Sequence, residues 1–316
     1  VRKEAVLSSQ IEGTQSTLDD LLKYESEQVS GAPIDDVEEV SSYVSALNYG
    51  LERIQSLPLS LRLIREIHKV LLQNSRGKNK TPGEFRTSQN WIGGTRPGNA
   101  KFVPVNPQNM MDALSALEKF MNDDEDNMPT LVKIALIHHQ FETIHCFLDG
   151  NGRIGRLLIT FFLCVKGFLK SPYLYLSLFF KKNRNLYYQY LNDVRYEGDW
   201  EEWIKFFLEG IIETANDARQ TLMKIQSLFV KDRQKVSSLA KAGVSALAVF
   251  NQFNQKPILS IAELVKKTAL SKPTAIKSVK HLIDLGIVFP ISEKKWGQLY
   301  SYKGYIDLLR NDDTEF

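Results

Sequence analysis

The sequence predicts a mainly α-helical protein that carries one β-hairpin and ends in a small winged helix-turn-helix domain. Three observations support this prediction. Apolar residues recur at a helical period over most of the chain up to about residue 236. One stretch rich in Gly, Pro and Asn, residues 83–107, interrupts that pattern. From residue 244 the apolar segments become short and end in two extended pieces.

The length of 316 residues favours two domains, and 43% hydrophobic and 24% charged residues are ordinary for a globular protein. The longest uncharged apolar run, Leu157–Val165, is much shorter than the roughly 18 residues of a membrane-spanning helix, so no membrane partner is expected. The chain has two cysteines, Cys146 and Cys164, and no signal-peptide pattern. We therefore expect a reducing compartment, the cytoplasm.

The helical part begins close to the first residue. Pro58, Pro129 and Pro172 fall at or before predicted helix starts, where proline is tolerated. The predicted helices are Arg2–Ile11, Leu18–Gln28, Ile34–Ser56, Ser60–Leu72, Met110–Asn122, Thr130–Glu142, Asn151–Val165, Leu186–Tyr196 and a long one from about Trp200 to Lys235.

The interrupting stretch reads as a β-hairpin. Two extended pieces, Phe85–Ile92 and Lys101–Val105, flank the turn-prone letters GGTRPGN. Such a hairpin is either a plain surface feature or an exposed edge that binds an extended partner segment by strand addition.

The C-terminal part follows the order helix, helix, turn, helix, hairpin, which is typical of a winged helix-turn-helix. Ser271 is the predicted N-cap of the third helix, and Gly286 ends it. A boundary within KVSSLAKAG gives a domain of residues 237–316. Its predicted elements are the helices Val244–Phe253, Ile261–Thr268 and Ser271 to about Leu285, and the strands Ile287–Ile291 and Leu299–Tyr302.

The net charge of +3 combines two regions of opposite sign. Residues 1–43 hold three basic and ten acidic side chains, a net −7, whereas residues 238–316 hold eleven basic and seven acidic ones, a net +4. The basic residues of this second region suit contact with DNA phosphates, and a solvated face on a protein-docking domain is the alternative. They include Lys272, Lys277 and Lys280 in the third helix and Lys294 and Lys295 in the hairpin turn.

The clearest chemical signal is the string HCFLDGNGRIGR, from His145 to Arg156. A glycine-rich turn that opens into a helix directs main-chain N–H groups at an anion. Arg153 and Arg156, on one face of the first turn, repel each other unless an anion such as phosphate joins them. Asp149 is placed to hold Mg²⁺, and His145 lies near enough to take a proton from a hydroxyl.

This string resembles the Fic family motif HxFx(D/E)GNGRxxR in every specified position, with Cys146 where proline is usual. The segment FRTSQNWIGG…AKFVPVNP is similar to the family's flap, the name used below for residues 83–107. The helices from about Leu61 to Phe207 are similar to the Fic core, and SSQIEGT to its inhibitory motif. This division gives an N-terminal region, residues 1–57, and a catalytic core, residues 58–236.

The resemblance implies a nucleotidyltransferase, a protein adenylyltransferase. Such an enzyme moves AMP from ATP, with Mg²⁺, to a Ser, Thr or Tyr hydroxyl of a target protein or of itself. His145 would be the base, Asp149 the Mg²⁺ ligand, Arg156 the γ-phosphate ligand, and Tyr188 would line the adenosine end. The residues implied to bind the nucleotide are Gly150, Asn151, Gly152, Arg153, Ile154, Gly155, Arg156 and Tyr188.

The N-terminal motif suggests regulation. Gly13 signals a helix end and leaves Glu12 near the carboxyl end, where a carboxylate opposes the helix dipole by a few tenths of a kcal/mol. Glu12 is therefore expected to pair with a cation. The match of Ser8, Glu12 and Gly13 to the pattern (S/T)xxxE(G/N) implies that this cation is Arg156 and that the pair inhibits the enzyme.

Two alternatives stay open. A Fic-like site with a positioned glutamate also fits removal of AMP or transfer of another nucleotide. The chain also fits a DNA-binding regulator whose Fic domain senses a nucleotide. Contact of the winged helix with DNA or protein, and a homodimer, are open as well.

Overall fold

The computed structural model, which describes residues 1–25, 33–73, 76–123, 125, 127–291 and 298–310, is mainly helical. Its helices are α1 (Arg2–Ile11), α2 (Leu18–Tyr24), α3 (Ile34–Arg53), α4 (Leu61–Leu72), α5 (Pro107–Asn122), α6 (Thr130–Ile144), α7 (Asn151–Val165), α8 (Leu176–Lys182), α9 (Arg184–Glu197), α10 (Trp200–Ser237), α11 (Gly243–Gln255), α12 (Ile261–Thr268), α13 (Lys272–Asp284) and α14 (Lys303–Arg310). Its strands are β1 (Ile258–Ser260), β2 (Phe289–Pro290) and β3 (Leu299–Ser301). Among the described residues, no helix combines the length and the apolarity that crossing a membrane requires.

The chain divides into two compact units. The first contains the described residues of 1–17 and 31–215, and the second those of 18–30 and 216–316. Helix α10 starts in the first unit and ends in the second. The division therefore falls inside a continuous helix, so no change of sequence pattern marks it.

In the first unit, α7 is the central helix and packs against α1, α3, α4 and α6. Helix α3 approaches it closely, because a Cβ on Gly50 would lie 2.2 Å from Phe161 Cζ. Helix α1 packs against α3, α7 and α8 and buries eight of its ten residues, including polar Glu4 and Ser8. The segment that ends at Glu12 is thus a packed part of this unit rather than a surface arm.

The second unit has a three-stranded antiparallel sheet in the order β1-β3-β2, with Leu259 and Pro290 both opposite Tyr300. Helices α11, α12 and α13 pack on one another. Ser271 Oγ accepts a hydrogen bond from Thr274 N at 3.4 Å and caps α13 as predicted. The buried core of this unit is built by Val236, Ala246, Val249, Phe250, Phe253, Leu259, Leu264, Val279, Leu282, Ile287, Val288 and Tyr302.

The sequence predicted the bounds of α1, α7 and α12 correctly and missed α8, α14 and β1. The missed helices have only seven and eight residues, too few for a periodic pattern to be clear. Helix α3 stops three residues before the predicted Ser56, and α6 continues two residues beyond the predicted Glu142. The end of the predicted helix Leu18–Gln28 and the lysines Lys294 and Lys295 lie outside the described residues.

The predicted hairpin is present only in part, since the flap has one antiparallel bridge, Ile92–Phe102, and no longer ladder among its residues. Gly93 and Gly94 have positive φ of 68° and 70° at its tip, where a short 3₁₀ turn, Pro97–Asn99, follows. Side chains replace the missing ladder. Gln89 Nε2, for example, donates to Pro104 O across the flap at 3.0 Å.

Candidate active site

The motif residues lie where α6 ends and α7 begins. His145 is the C-cap of α6 with a left-handed φ of 49°, and Gly150 is the N-cap of α7 with φ 82°. The Asn151 side chain holds the turn between them: Oδ1 accepts from Phe147 N at 2.9 Å, and Nδ2 donates to Phe147 O at 2.8 Å. The amide of Asn151 is therefore occupied by the loop, so only its main chain faces an incoming anion.

His68, which the sequence did not suggest, supports the same turn. Its ring stacks on Phe147 with 3.7 Å between centroids. Nδ1 accepts from Gly83 N at 2.8 Å, so the neutral ring carries its proton on Nε2, which donates to Asp149 O at 3.0 Å. Burial lowers the pKa of His68 to about 4, which keeps this arrangement neutral at pH 7.

The His145 imidazole is oriented by its own helix. Nδ1 lies 3.3 Å from Glu142 O, and since a carbonyl can only accept, Nδ1 must carry the hydrogen. The other nitrogen, Nε2, is then the one that can accept a proton. Burial lowers the pKa of His145 to about 4, so the ring is neutral at physiological pH.

Arg156 is 2% exposed and is held by the N-terminal motif. Its Nη2 lies 2.6 Å from Glu12 Oε1 and donates to Ser8 O at 3.0 Å, and its Nε donates to Ser8 Oγ at 2.8 Å. Burial favours the neutral form of Glu12, but the charge of Arg156 and the hydrogen bond it donates hold the pKa of that carboxyl below its usual range. Glu12 is thus ionised at neutral pH, and two of the three motif residues bind Arg156.

Gly13 and Gly152 allow this pairing for steric reasons. Gly13 has φ 102°, a conformation that side chains disfavour, and it ends α1 just after Glu12. A Cβ on Gly152 would lie 2.4 Å from Glu12 Oε1. Because Gly152 has no side chain, the Glu12 carboxylate can pack against the turn.

Arg153 has different partners, although it lies on the same turn. It is 3% exposed, with Nη1 2.7 Å from Glu39 Oε1 and Nη2 3.0 Å from Asp149 Oδ1. Burial raises the pKa of Glu39, and Arg153 opposes that rise. The sequence predicted one anion joining both arginines, whereas here Arg156 pairs with Glu12, and Arg153 with Glu39 and Asp149.

Glu142 is a further acid that the sequence did not suggest. It is 6% exposed, and its Oε1 has no hydrogen-bond partner among the described residues. A Cβ on Gly155 would lie 2.3 Å from that oxygen. Burial raises the pKa of Glu142 to about 7, although nearby Arg156 lowers it in part.

The remaining predicted residues lie at the edge of this arrangement or beneath it. Ile154 is 1% exposed and part of the core. Tyr188 is partly buried on α9, with Arg184 over its ring at 5.6 Å. Burial raises its pKa, and the charges of Glu12 and Arg156 act on it. Tyr188 is therefore close enough to Arg156 for the arginine charge to act on its hydroxyl. The arginine that lies over its ring, Arg184, is outside the motif.

This chain is similar to known proteins of one family. The sequence model of the Fic/DOC family matches residues 58–163, and that of the Fic/DOC family N-terminal region matches residues 1–52. Protein adenylyltransferase Fic of Drosophila yakuba is 26% identical over 242 residues, covering 69% of this chain and 46% of that protein. The Drosophila grimshawi protein of the same name is 30% identical over 183 residues, covering 57% and 35%. The chain thus spans less than half the length of these curated relatives.

Solved structures share the fold. A Fic family protein from Desulfovibrio desulfuricans G20 superposes with a TM-score of 0.60 at 19% identity, covering 95% of this chain and 86% of that one. Fic-1 from C. elegans gives a TM-score of 0.57 at 24% identity, covering 68% and 61%. Residues 58–163 of this chain are therefore a Fic/DOC family domain, preceded in residues 1–52 by the N-terminal domain of that family.

Proposed function

We propose that this chain is a protein adenylyltransferase that moves AMP from ATP to a Ser, Thr or Tyr hydroxyl of a target protein or of itself. The observation that carries the proposal is the placement of a neutral imidazole, whose Nε2 can accept a proton, one loop before two buried arginines. The relatives named protein adenylyltransferase Fic support it. Residues 1–57 would regulate, residues 58–236 would catalyse, and residues 237–316 would form a winged helix-turn-helix.

In this proposal His145 Nε2 takes the proton of the target hydroxyl. The hydroxyl oxygen attacks the α-phosphorus of ATP, a new O–P bond forms, and the bond to pyrophosphate breaks. Such transfers depend on positioning and charge neutralisation more than on covalent help from the protein. The Nδ1 contact with Glu142 O supplies the positioning of the ring.

The phosphates would bind at the start of α7. Main-chain N–H groups of residues 150–153 and the Arg153 guanidinium would hold the α- and β-phosphates, Arg156 the γ-phosphate, and Tyr188 would border the adenosine. The N–H of Ile154 is already used within α7, where it donates to Gly150 O at 3.0 Å. Asp149 is the residue that would hold Mg²⁺, which when bound neutralises phosphate charge. A single carboxylate fits this role, because Mg²⁺ usually takes its other ligands from substrate phosphates and water. Among the described residues there is no cluster of three metal-binding side chains that would hold a metal ion by itself.

Autoinhibition follows from the pair that Glu12 forms with Arg156. While the carboxylate occupies the guanidinium, the γ-phosphate has no cation to orient it, so ATP would bind unproductively. Ser8 strengthens this inhibition, because its hydroxyl and carbonyl oxygens accept hydrogen bonds from Nε and Nη2 of the same arginine.

The deciding experiment is mass spectrometry of the Glu12→Gly protein after incubation with Mg-ATP. We expect the added mass of AMP, located on a hydroxyl residue, and no addition when His145→Ala is combined with the change. Labelling that persists without His145 would identify a different base. Incubating a target already carrying AMP tests the alternative, since loss of AMP that requires intact Glu12 would indicate removal rather than transfer.

A second candidate function, DNA binding, is favoured by the outer face of α13. Lys272, Lys277 and Lys280 are exposed there. We propose duplex DNA as the partner of this face. A gel-shift series at rising salt tests it, and the absence of binding at about 50 mM salt would leave a protein-docking role.

A further inference from the structure

Arg86 is a buried arginine in the flap that the proposed mechanism does not use. It is 2% exposed and belongs to the largest fully buried side chains. Burial lowers the pKa of its guanidinium, but arginine stays protonated in proteins. A charge buried to this extent needs strong hydrogen bonds, so its partners indicate what it holds in place.

The guanidinium joins the flap to the residue that carries the imidazole. Nε donates to His145 O at 2.9 Å, and Nη2 donates to Ile144 O at 3.4 Å. In the flap, Nη1 donates to Ser88 O at 3.1 Å and Nη2 donates to Val105 O. One planar group therefore fixes both extended pieces of the flap and the end of α6.

Asn90, also in the flap, holds the same carbonyl. Its Nδ2 donates to His145 O at 3.1 Å and to Phe147 O at 3.0 Å. Within the described part of the chain, the two side-chain donors to the His145 carbonyl thus come from the flap.

The backbone of His145 depends on such support. Its φ of 49° is left-handed, which costs a residue with a Cβ about 1 kcal/mol and persists only where the surroundings fix it. The His145 carbonyl carbon is bonded to the Cα that bears the imidazole, so a displacement of this peptide unit shifts that Cα and with it the ring. A displacement of about 1 Å can cost a reaction about 100-fold in rate.

We infer that Arg86 is a positioning residue that ties the orientation of the His145 main chain, and with it the imidazole, to the position of the flap. The inference rests on the proposed function, in which His145 is the base. A target segment that binds to the flap would then also orient the His145 imidazole. Lysine cannot replace Arg86, because its ammonium lacks the planar fork that reaches carbonyls in several directions.

The test uses Arg86→Lys in the Glu12→Gly protein. We expect the turnover rate of self-labelling to fall about 100-fold, while the affinity for ATP changes less than about two-fold. The ¹⁵N resonances of His145 should shift, with an altered titration midpoint. Arg65→Lys is the matched control, since Arg65 donates to Gly83 O at 2.8 Å and lies over the Phe85 ring at 5.7 Å without reaching His145.

Asn90→Ala is the second variant, in case Arg86→Lys does not fold. It removes one donor to the same carbonyl and should produce a smaller change in the same observables. An unchanged His145 titration and turnover rate in a folded variant would overturn the inference. Failure of the proposed function is distinguishable, because then Glu12→Gly itself transfers no AMP, while the histidine resonances still report on Arg86.

Discussion

Two groups of positive charge on helices differ in their surroundings: the arginines at the start of α7 and the lysines on the outer face of α13. Arg153 and Arg156 are 3% and 2% exposed, and each faces a carboxylate within 3 Å. Lys272, Lys277 and Lys280 are exposed to solvent. The first group is neutralised by the protein and the second by water and counterions.

This difference determines what an anionic ligand must displace. At α7 a phosphate has to replace a carboxylate that is already bound in a buried site, where charge interactions are strong. Binding there is controlled by the protein itself. At α13 a phosphate would only release counterions, so any binding there would depend mainly on salt concentration. Four expected effects test this contrast.

The largest expected effect is on stability at Arg153. Glu39→Gln removes the buried carboxylate of Arg153 and leaves only the more exposed Asp149 to pair with it, so we expect the free energy of unfolding to fall by about 3 kcal/mol. Urea or thermal unfolding measures it. Lys277→Ala is the control and should change stability by less than about 0.5 kcal/mol. Equal losses of unfolding free energy in the two variants would show that the buried ion pair contributes no more to stability than the exposed lysine.

The next effect is on activity at Arg156. Glu12→Gln weakens a charge-assisted hydrogen bond worth about 1.5–3 kcal/mol, so AMP transfer should rise about 10- to 100-fold. Transfer from radiolabelled ATP measures the rate, with exposed Asp35→Asn as the control. In an Arg156→Ala background the gain should vanish. A gain of equal size in both backgrounds would mean that Glu12 acts elsewhere.

A smaller effect is the pH dependence of stability at Glu142. Its pKa is raised to about 7 from 4.5, so between these values the folded protein binds more protons than the unfolded chain. The free energy of unfolding therefore falls as pH rises through that window. We expect Glu142→Gln to reduce the loss of stability between pH 5 and pH 8 by about 2 kcal/mol.

Glu12 is expected to change stability with pH in the opposite direction to Glu142. Its pKa is lowered, so its stabilising contribution is present above its ordinary value of 4.5 and is lost only as pH falls further. Glu12→Gln should flatten the slope between pH 5 and pH 8 only slightly, because burial raises the pKa of Glu142 more than the charge of Glu12 does. A flattened slope in that variant, and none in Glu142→Gln, would contradict both assignments.

The smallest expected effect is on DNA affinity. Lys277→Ala and Lys280→Ala should each weaken binding to duplex DNA a few-fold and lower the salt slope by about one. Exposed Lys241→Ala, outside α13, is the control. Gel-shift titrations at several salt concentrations measure this. A slope that is the same in all three variants would remove α13 from the interface.

Local signals were enough to predict the helices that carry the two sequence motifs. Helices α1 and α7 each end or begin at a glycine with positive φ, and their apolar periods are complete. Acids that meet the motif only through the fold could not be predicted. Glu39 lies 114 positions from Arg153, and in the sequence it is one more acid in a negative run.

Glu142 was missed for a related reason. It occupies the last turn of α6, where a carboxylate usually faces solvent, and only the packing against Gly155 buries it. The flap, too, was predicted from the sequence only in part. Its extended pieces were predicted, but the sequence did not reveal that arginine and amide side chains, rather than a β-ladder, hold them.

The short loop from His145 to Gly150 has one more consequence. It joins the carboxyl end of α6 to the amino end of α7, so a partial negative charge and a partial positive charge lie at its two ends. A proton taken up at His145 would lie at the end that favours cations, and a phosphate at Gly150 at the end that favours anions. Reversing α6 would disfavour the proton at His145, and reversing α7 would disfavour the phosphate at Gly150, so the polarity of the two helices separates the cation from the anion.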